Sequence, residues 1–226
     1  MSADEVSATT GAFGARWVMS NASDGDVRPA RAGALLIQQR LAGVPWSSSR
    51  QVHGSNVIEI GRVHGAMDVE ADGIVTSAAH TPIAMFGADC ALIAFASREG
   101  PIGIAHAGWK GLTEGVIGAT VSALRSLGAT EIHAATSAMI HPECYEFSPD
   151  DLDAATAAFG EQLRATTADG RPAFDLPSGV GEALRRAGVE TVTSRGGCTA
   201  CEGDWFSFRA RRDEARHGLV CWTEGS

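Results

Sequence analysis

Gly87 to Gly111 reads GADCALIAFASREGPIGIAHAGWKG, and its pattern decides the fold. Ala91 to Ala96 is a continuous apolar run, Ser97 to Pro101 collects turn residues, and Ile102 to Ala107 is a second apolar run broken by small residues. Short runs of this kind, apolar at every position and bounded by turn residues, are strands covered on both faces, because a strand with one wet face alternates. Paired as a hairpin, the two strands bring Cys90, just ahead of the first, and His106, near the end of the second, to the same end of a sheet. Each residue alone is more often core, since free cysteine is among the most buried residue types and a lone histidine beside a strand usually satisfies its own hydrogen bonds. Together, with Gly87, Gly103, Gly108 and Gly111 letting the backbone bend and a ligand approach, they mark a chemical site.

Downstream, Gly108-Trp-Lys-Gly111 turns into a helix with Leu112, Val116, Ile117, Thr120, Val121, Leu124 and Leu127 at helical spacing and Gly128 as its stop. Glu131 to Ile140 is the next strand, so strand, helix and strand form a βαβ unit. Ser148-Pro-Asp-Asp151 starts a helix expected to reach Thr166, with Ser as N-cap and acids in the first turn. Asp175 to Ala187 predicts another helix, Val189 to Ser194 a strand, Gly196 to Gly203 a loop, and Leu219 to Trp222 a last strand. Arg209 to Arg216 reads as a solvated run of alternating charge. Upstream, Ala12 to Met19 predicts a strand and Asn21 to Asp26 a polar turn, and Pro29 opens a helix that stops at Gly43. Ser49 to Ile60 is extended, Gly61 to Met67 a loop, and Ala71 to Thr76 a turn into a short strand. No repeat or linker interrupts the pattern, which predicts one α/β domain over residues 1–226.

The chain has 226 residues, 44% hydrophobic and 20% charged, with a net charge of -9. That balance belongs to a globular protein and argues against nucleic acid or an anionic membrane as partner, which leaves a small-molecule substrate. The start MSADEVSATTG has neither the basic nor the apolar segment of a leader, and no apolar stretch reaches membrane length, so a cytoplasmic protein is expected. Five cysteines, an odd number, point to reduced thiols rather than a disulfide framework. A monomer or weak homo-oligomer is the expected state.

A GxGxxG turn, a GxSxG elbow and an HExxH pair are all absent from the sequence. His53, in Gln51-Val-His-Gly54, joins Cys90 and His106 as a two-histidine, one-cysteine set. Such a set suits tetrahedral zinc with the fourth position open to water or substrate, the pattern of a catalytic site. Asp72 and Asp89 are candidates to orient the imidazoles. Cys198-Thr-Ala-Cys201 is half of a structural zinc site with no second CxxC to complete it, so Cys144, Cys198 and Cys201 are expected in the pocket wall or just behind it.

Gln51-Val-His-Gly, Ala71-Asp-Gly-Ile-Val-Thr, Ala88-Asp-Cys, His106-Ala-Gly-Trp-Lys-Gly, Cys144-Tyr-Glu and Cys198-Thr-Ala-Cys occur in the order seen in the laccase-domain, or YfiH-like, family. The chain resembles that family over roughly residues 50 to 222. The resemblance implies an αβ sandwich with a mixed sheet (α+β), similar also to a toxin deamidase. It implies that His53, Cys90 and His106 hold zinc in a purine nucleoside pocket and carry the catalysis, with Gln51, Asp89, Trp109, Lys110, Cys144 and Tyr145 around the substrate. It implies phosphorolysis of adenosine, inosine or methylthioadenosine, or deamination of adenosine, with phosphate or water as the second substrate. Lys110 stands where the family carries Arg, which keeps the charge and loses the fork.

Three other chemistries fit parts of the pattern. Cys90 as nucleophile with His106 as base would make an amidase acting on a cell-wall precursor. Copper binds a two-histidine, one-cysteine set more tightly than zinc does, but a multicopper oxidase centre needs close histidine pairs, and the seven histidines include no HxH. A module that binds nucleoside without turning it over would use the same pocket.

Overall fold

The computed structural model describes residues 9–189 and 191–224. Residues 1–8 of the opening stretch MSADEVSATTG, and position 190 of the strand expected over Val189 to Ser194, lie outside the described residues. In chain order the strands are β1 (Thr9–Thr10), β2 (Ala15–Met19), β3 (Ser48–Arg50), β4 (Val57–Glu59), β5 (Ala66–Glu70), β6 (Gly73–Thr76), β7 (Ile83–Gly87), β8 (Ala91–Ser97), β9 (Ile102–Ala107), β10 (Ile132–Thr136), β11 (Arg164–Thr166), β12 (Pro172–Phe174), β13 (Thr191–Ser194) and β14 (His217–Thr223). The helices are α1 (Ala34–Ala42), α2 (Trp109–Glu114), α3 (Val116–Ser126), α4 (Pro149–Ala157), α5 (Leu176–Arg186) and α6 (Phe208–Arg211).

β8 and β9 form the expected hairpin, with Ala91 opposite Ala107 and Leu92 opposite His106. They sit at the centre of a mixed sheet of order β13-β10-β8-β9-β6-β4, in which β10 and β13, and β4 and β6, run parallel. β9 and β10 are both antiparallel to β8, so they run the same way, and α2 and α3 make the βαβ crossover between them. A second, antiparallel sheet has the order β1-β2-β14-β7.

Both faces of the hairpin are covered, which is why its strands show no alternation. Ala91, Ile93 and Phe95 face Leu112, Ile117, Val121 and Leu124 of the helices. Leu92, Ala94 and Ala96 face Ile83, Met85, Leu219 and Cys221 of the second sheet. The far side of that sheet packs Ala84, Phe86, Val220 and Trp222 against Leu41 and Trp46. The layers therefore run α1, four-stranded sheet, six-stranded sheet, then α2 to α5. Leu92, Ile93 and Phe95 are almost wholly buried, and each side chain of that size contributes about 1.5–3 kcal/mol.

Several boundaries differ from the sequence reading. The long helix after His106 is two helices, parted at Gly115, whose φ of 92° no other residue adopts cheaply. α4 stops at Ala157, well short of Thr166, because the chain turns at Gly160 and spends Arg164–Thr166 on a hairpin with Pro172–Phe174. α1 starts at Ala34 rather than Pro29, since Arg28 is pulled back onto Asp26 and the chain makes two successive tight turns, Arg31 N–H to the Arg28 carbonyl (3.0 Å) and Ala34 N–H to the Arg31 carbonyl (3.2 Å), before the helix begins. Ala12–Gly14 is a 3-10 turn, and part of the expected 61–67 loop belongs to β5, which pairs parallel with β3. All five cysteines are free thiols, and no helix among the described residues is long and apolar enough to cross a membrane.

Candidate metal centre

The hairpin register places two of the three ligand candidates. His106 shares its face of β9 with Ile102 and Ile104, so its ring points between the two sheets, and it is buried. Cys90 lies one residue before β8, beside the Ala91–Ala107 pair that ends the hairpin. His53 arrives from the loop between β3 and β4, where its φ of 62° is left-handed. Its ring meets that of His106 edge-on, with centroids 4.8 Å apart.

One carboxylate holds this arrangement. Asp72, fully buried ahead of β6, accepts the His53 N–H on Oδ1 (3.0 Å) and the Val52 and Gly54 N–H groups on Oδ2 (3.1 and 2.8 Å). The same Oδ1 lies 2.8 Å from His106 Nδ1. A carboxylate only accepts, so Nδ1 carries a proton, and Nε2 becomes a lone-pair donor once a metal ion displaces the proton of the imidazolium. The three ligand atoms all lie within 4.8 Å of one another, with Cys90 Sγ 3.8 Å from His53 Nε2.

Close approach here depends on two glycines. A Cβ on Gly108 would stand 2.9 Å from Cys90 Sγ and 3.0 Å from His53 Cδ2. A Cβ on Gly111 would stand 2.9 Å from the Gly54 carbonyl oxygen, forcing α2 off the loop that carries His53.

Burial alone would raise the Cys90 thiol, but the charge of His106 and hydrogen bonds from His106 and His53 outweigh it and bring the thiol well below its ordinary value. At His106 burial works against the charge, and the Cys90 thiolate and Asp72 overcome it and raise the imidazole. Burial would also raise Asp72, but the His106 hydrogen bond and the Gly54 and Val52 amides hold it below the usual carboxylate range. The three groups thus form a thiolate, imidazolium and carboxylate relay in which a metal ion can take the place of the imidazolium proton. One sulfur and two imidazole nitrogens, one imidazole backed by a carboxylate, suit a tetrahedral metal ion, whose S–N ligand edge is about 3.5 Å. The residues present fit such an ion.

The site opens into a cavity of 810 Å³. Phe86, Ala88, Met67, Pro29 and Phe208 give it apolar wall, and Arg28, Arg50, Arg209 and Arg216 give it positive charge. Of the expected substrate contacts, Gln51, Asp89 and Tyr145 line it. Gln51 spends its amide on the Phe86 backbone, donating to O (2.8 Å) and accepting from N–H (2.9 Å), which docks the His53 loop on the edge of β7. The phenol of buried Tyr145 is pushed above its ordinary range, first by burial and then by the Cys90 thiolate, so it stays a donor.

Asp89, with φ 97°, orients no imidazole. Its Oδ1 accepts from Thr199 Oγ1 and Ser207 Oγ (both 2.7 Å) and its Oδ2 from the Arg209 N–H (2.7 Å), so it ties down the segment that enters α6. Trp109, Lys110 and Cys144 do not line the cavity. α2 begins at Trp109, on the helix side of the sheet, where the indole packs edge-on against Phe147 (5.7 Å) and Lys110 Nζ lies 5.6 Å from the Trp109 ring centre. Cys144, Cys198 and Cys201 gather in a cluster of their own rather than in the pocket wall.

The arginines escaped the sequence reading. Arg209 and Arg216 belong to the run expected to be a solvated face, yet Asp89 and a left-handed turn at Arg212 (φ 59°) bring both ends of it to the cavity. The aromatic run Trp205-Phe206-Ser-Phe208 directly ahead of Arg209 was the available signal, because a solvated face does not begin on three aromatic rings. Arg28 is held bidentately by Asp26 (3.0 and 2.6 Å). Arg216 donates to the carbonyls of Asp213, Glu214 and Ala215 (2.8, 2.9 and 2.9 Å), and Arg209 donates to the Glu146 carbonyl and lies 4.8 Å over the Tyr145 ring. Burial, then the charge of Arg28, lowers Arg216, and together they outweigh the opposing pull of Cys90, Asp26 and Asp89.

Over residues 21–224 the chain matches the family model described as multi-copper polyphenol oxidoreductase laccase. It is 34% identical over 187 residues to a Streptomyces coelicolor protein named purine nucleoside phosphorylase, covering 81% of this chain and 76% of that one. A protein of the same name from Streptomyces griseus is 34% identical over 189 residues, covering 81% and 75%. Among solved structures, a Neisseria meningitidis protein superposes with a TM-score of 0.80 at 21% identity, covering 96% of this chain and 97% of that one. YlmD from Geobacillus stearothermophilus superposes at 0.78 and 24% identity, covering 94% and 93%. These two likenesses establish the fold, and the family match starts well upstream of Gln51, where the motifs begin.

Proposed function

The chain belongs to the multi-copper polyphenol oxidoreductase laccase family, and from that footing we propose that it is a zinc-dependent enzyme that cleaves purine nucleosides with phosphate. The observation that carries this reading is one cavity that joins the His53, Cys90 and His106 donors to a wall of arginines. Its relatives named purine nucleoside phosphorylase support the substrate class. A volume of 810 Å³ falls within the range of small-molecule pockets and admits a nucleoside together with an anion.

Phe86, Met67 and Phe208 offer apolar surface to a purine, and Arg209, Arg216 and Arg28 offer donors to phosphate. A phosphate oxygen bonds to the ribose carbon as the glycosidic bond to the base breaks, and the base leaves with a proton, giving free purine and ribose 1-phosphate. Tyr145, neutral and facing the cavity, donates a hydrogen bond to substrate. Asp72 fixes the protonated face of His106 and the backbone of His53. Zinc, held by His53, Cys90 and His106, would supply Lewis-acid polarisation at the substrate. Copper oxidase chemistry is disfavoured by the donor set, since among the described residues His53 and His106 are the histidines that line the cavity.

The test is the phosphate dependence of nucleoside cleavage in Arg209→Ala/Arg216→Ala. A charge-assisted hydrogen bond contributes about 1.5–3 kcal/mol, so the loss of one from each arginine is expected to raise KM for phosphate by at least about a hundredfold while KM for nucleoside changes little. An unchanged phosphate KM would overturn the assignment. Alkylation separates this reading from cysteine hydrolysis: ligation protects Cys90 until a chelator is added, whereas a free nucleophile reacts at once.

A further inference from the structure

A second group of thiols lies outside the cavity. Cys144, Cys198 and Cys201 bring their sulfur atoms within 4.8 Å of one another, from two segments more than fifty residues apart. Cys198 and Cys201 flank a tight turn held onto the chain beyond β10: Thr199 N–H donates to the Met139 carbonyl (3.1 Å) and Glu202 N–H to the Cys198 carbonyl (3.0 Å). Cys144 closes the 3-10 turn Pro142–Cys144. The missing half of the CxxC site is thus supplied by a single cysteine, a pairing that spacing along the chain cannot show.

We infer that Cys144, Cys198 and Cys201 bind a second, structural zinc ion through their three thiolates, with the fourth position left to water. A tetrahedral zinc thiolate site has sulfur atoms about 3.8 Å apart, and the Cys144–Cys201 separation of 3.1 Å and the 4.8 Å limit bracket that value. Glu143 Oε1 lies 3.8 Å from Cys201 Sγ, which puts a carboxylate beside the cluster and favours a cation there. The His141 N–H donates to Cys198 Sγ (3.4 Å), the kind of partner that a ligating thiolate retains. Cys198 is buried and Cys201 exposed, so the ion has both a dry base and a way in.

Without a cation the three sulfurs are poorly matched to one another. Burial and the neighbouring Cys198 raise Cys144, and Cys144 and burial raise Cys201. A divalent ion reverses that balance by taking the thiolates, with release of their protons. Its structural effect is specific: it clamps the turn that carries Tyr145 to the segment that carries Arg209, two residues of the cavity wall. The inference stands apart from the nucleoside reading, since it involves neither His53, Cys90 nor His106.

Zinc counted in protein dialysed against metal-free buffer tests it, using the wild type, Cys90→Ala, and Cys144→Ser/Cys201→Ser. Two ions per chain are expected in the wild type and one in each variant. Cobalt added to zinc-stripped Cys90→Ala is expected to give a thiolate-to-metal charge-transfer band that is absent when Cys201→Ser is added, so the readout survives if the double variant folds poorly. Zinc that disappears entirely with Cys90→Ala, no cobalt–thiolate band in that variant, or a Cys144–Cys201 disulfide in freshly isolated protein would each overturn the assignment. Loss of activity in Cys90→Ala with the second ion retained would concern the first site alone.

Discussion

Asp72 is the residue on which the centre turns. It receives His106 Nδ1 and three consecutive backbone N–H groups around His53, so one side chain fixes both imidazoles. Asp72→Asn keeps the size and loses the charge that matches His106, and a lost carboxylate behind a histidine ligand lowers metal affinity about 10–100-fold. Competition with a chromophoric chelator measures this, and an unchanged affinity would remove Asp72 from the account. His217 is the second residue with a calculable consequence. Both its ring nitrogens are buried without partners, its ring lies parallel to Phe206, and burial, then the charge of Arg216, pushes it down to about 4. Below pH 6.5 the unfolded chain takes up a proton that the folded chain refuses until about pH 4, so stability falls across that window as pH drops, by about 3 kcal/mol. His217→Phe is expected to flatten that part of the urea-unfolding profile, and an identical slope in the variant would contradict it.

At the scale of elements, the hairpin and its helix were legible because their signals are local: apolar runs, turn residues and helical spacing. The pairing of Cys90 and His106 followed from register alone. His53 was nominated by its residue type, but the loop between β3 and β4 reaches the centre through Asp72 and Gln51, contacts that no local pattern encodes. The arginines were missed for the same reason, since Asp89 is far from Arg209 in sequence. Two glycines test how tightly the elements are fitted. Gly108→Ala puts a methyl group against Cys90 Sγ and His53, so metal content should fall while the fold persists; full metal content would refute the close fit. Gly115→Ala meets no neighbouring atom within 4 Å and suffers only from φ 92°, so it should cost about 1–2 kcal/mol in urea unfolding. A stabilised variant would mean that α2 and α3 can run as one helix.

On the scale of the whole molecule, the two sheets supply the site by packing face to face. β9 sends His106 into the space between them, β7 contributes Phe86 and Gly87 to the wall, and the segments around Arg28 and Arg209 close the cavity with positive charge. A chain of net charge -9 has gathered arginines around one opening, an arrangement that favours an anionic substrate there. An α/β domain with strands covered on both faces was readable from the unbroken apolar runs, while the mixed αβ sandwich came from the family resemblance; the fourth layer, α1 against the outer sheet, was not readable, because the exposed Leu35 and Leu36 blur that helix's apolar face. The most direct measurement is product analysis of adenosine incubated with the protein as isolated, with and without phosphate, alongside Cys90→Ala. Adenine and ribose 1-phosphate formed in equal amounts only when phosphate is present, and neither formed by the variant, is the predicted result. Unchanged adenosine, or inosine formed regardless of phosphate, would contradict phosphorolysis as the chemistry of this cavity.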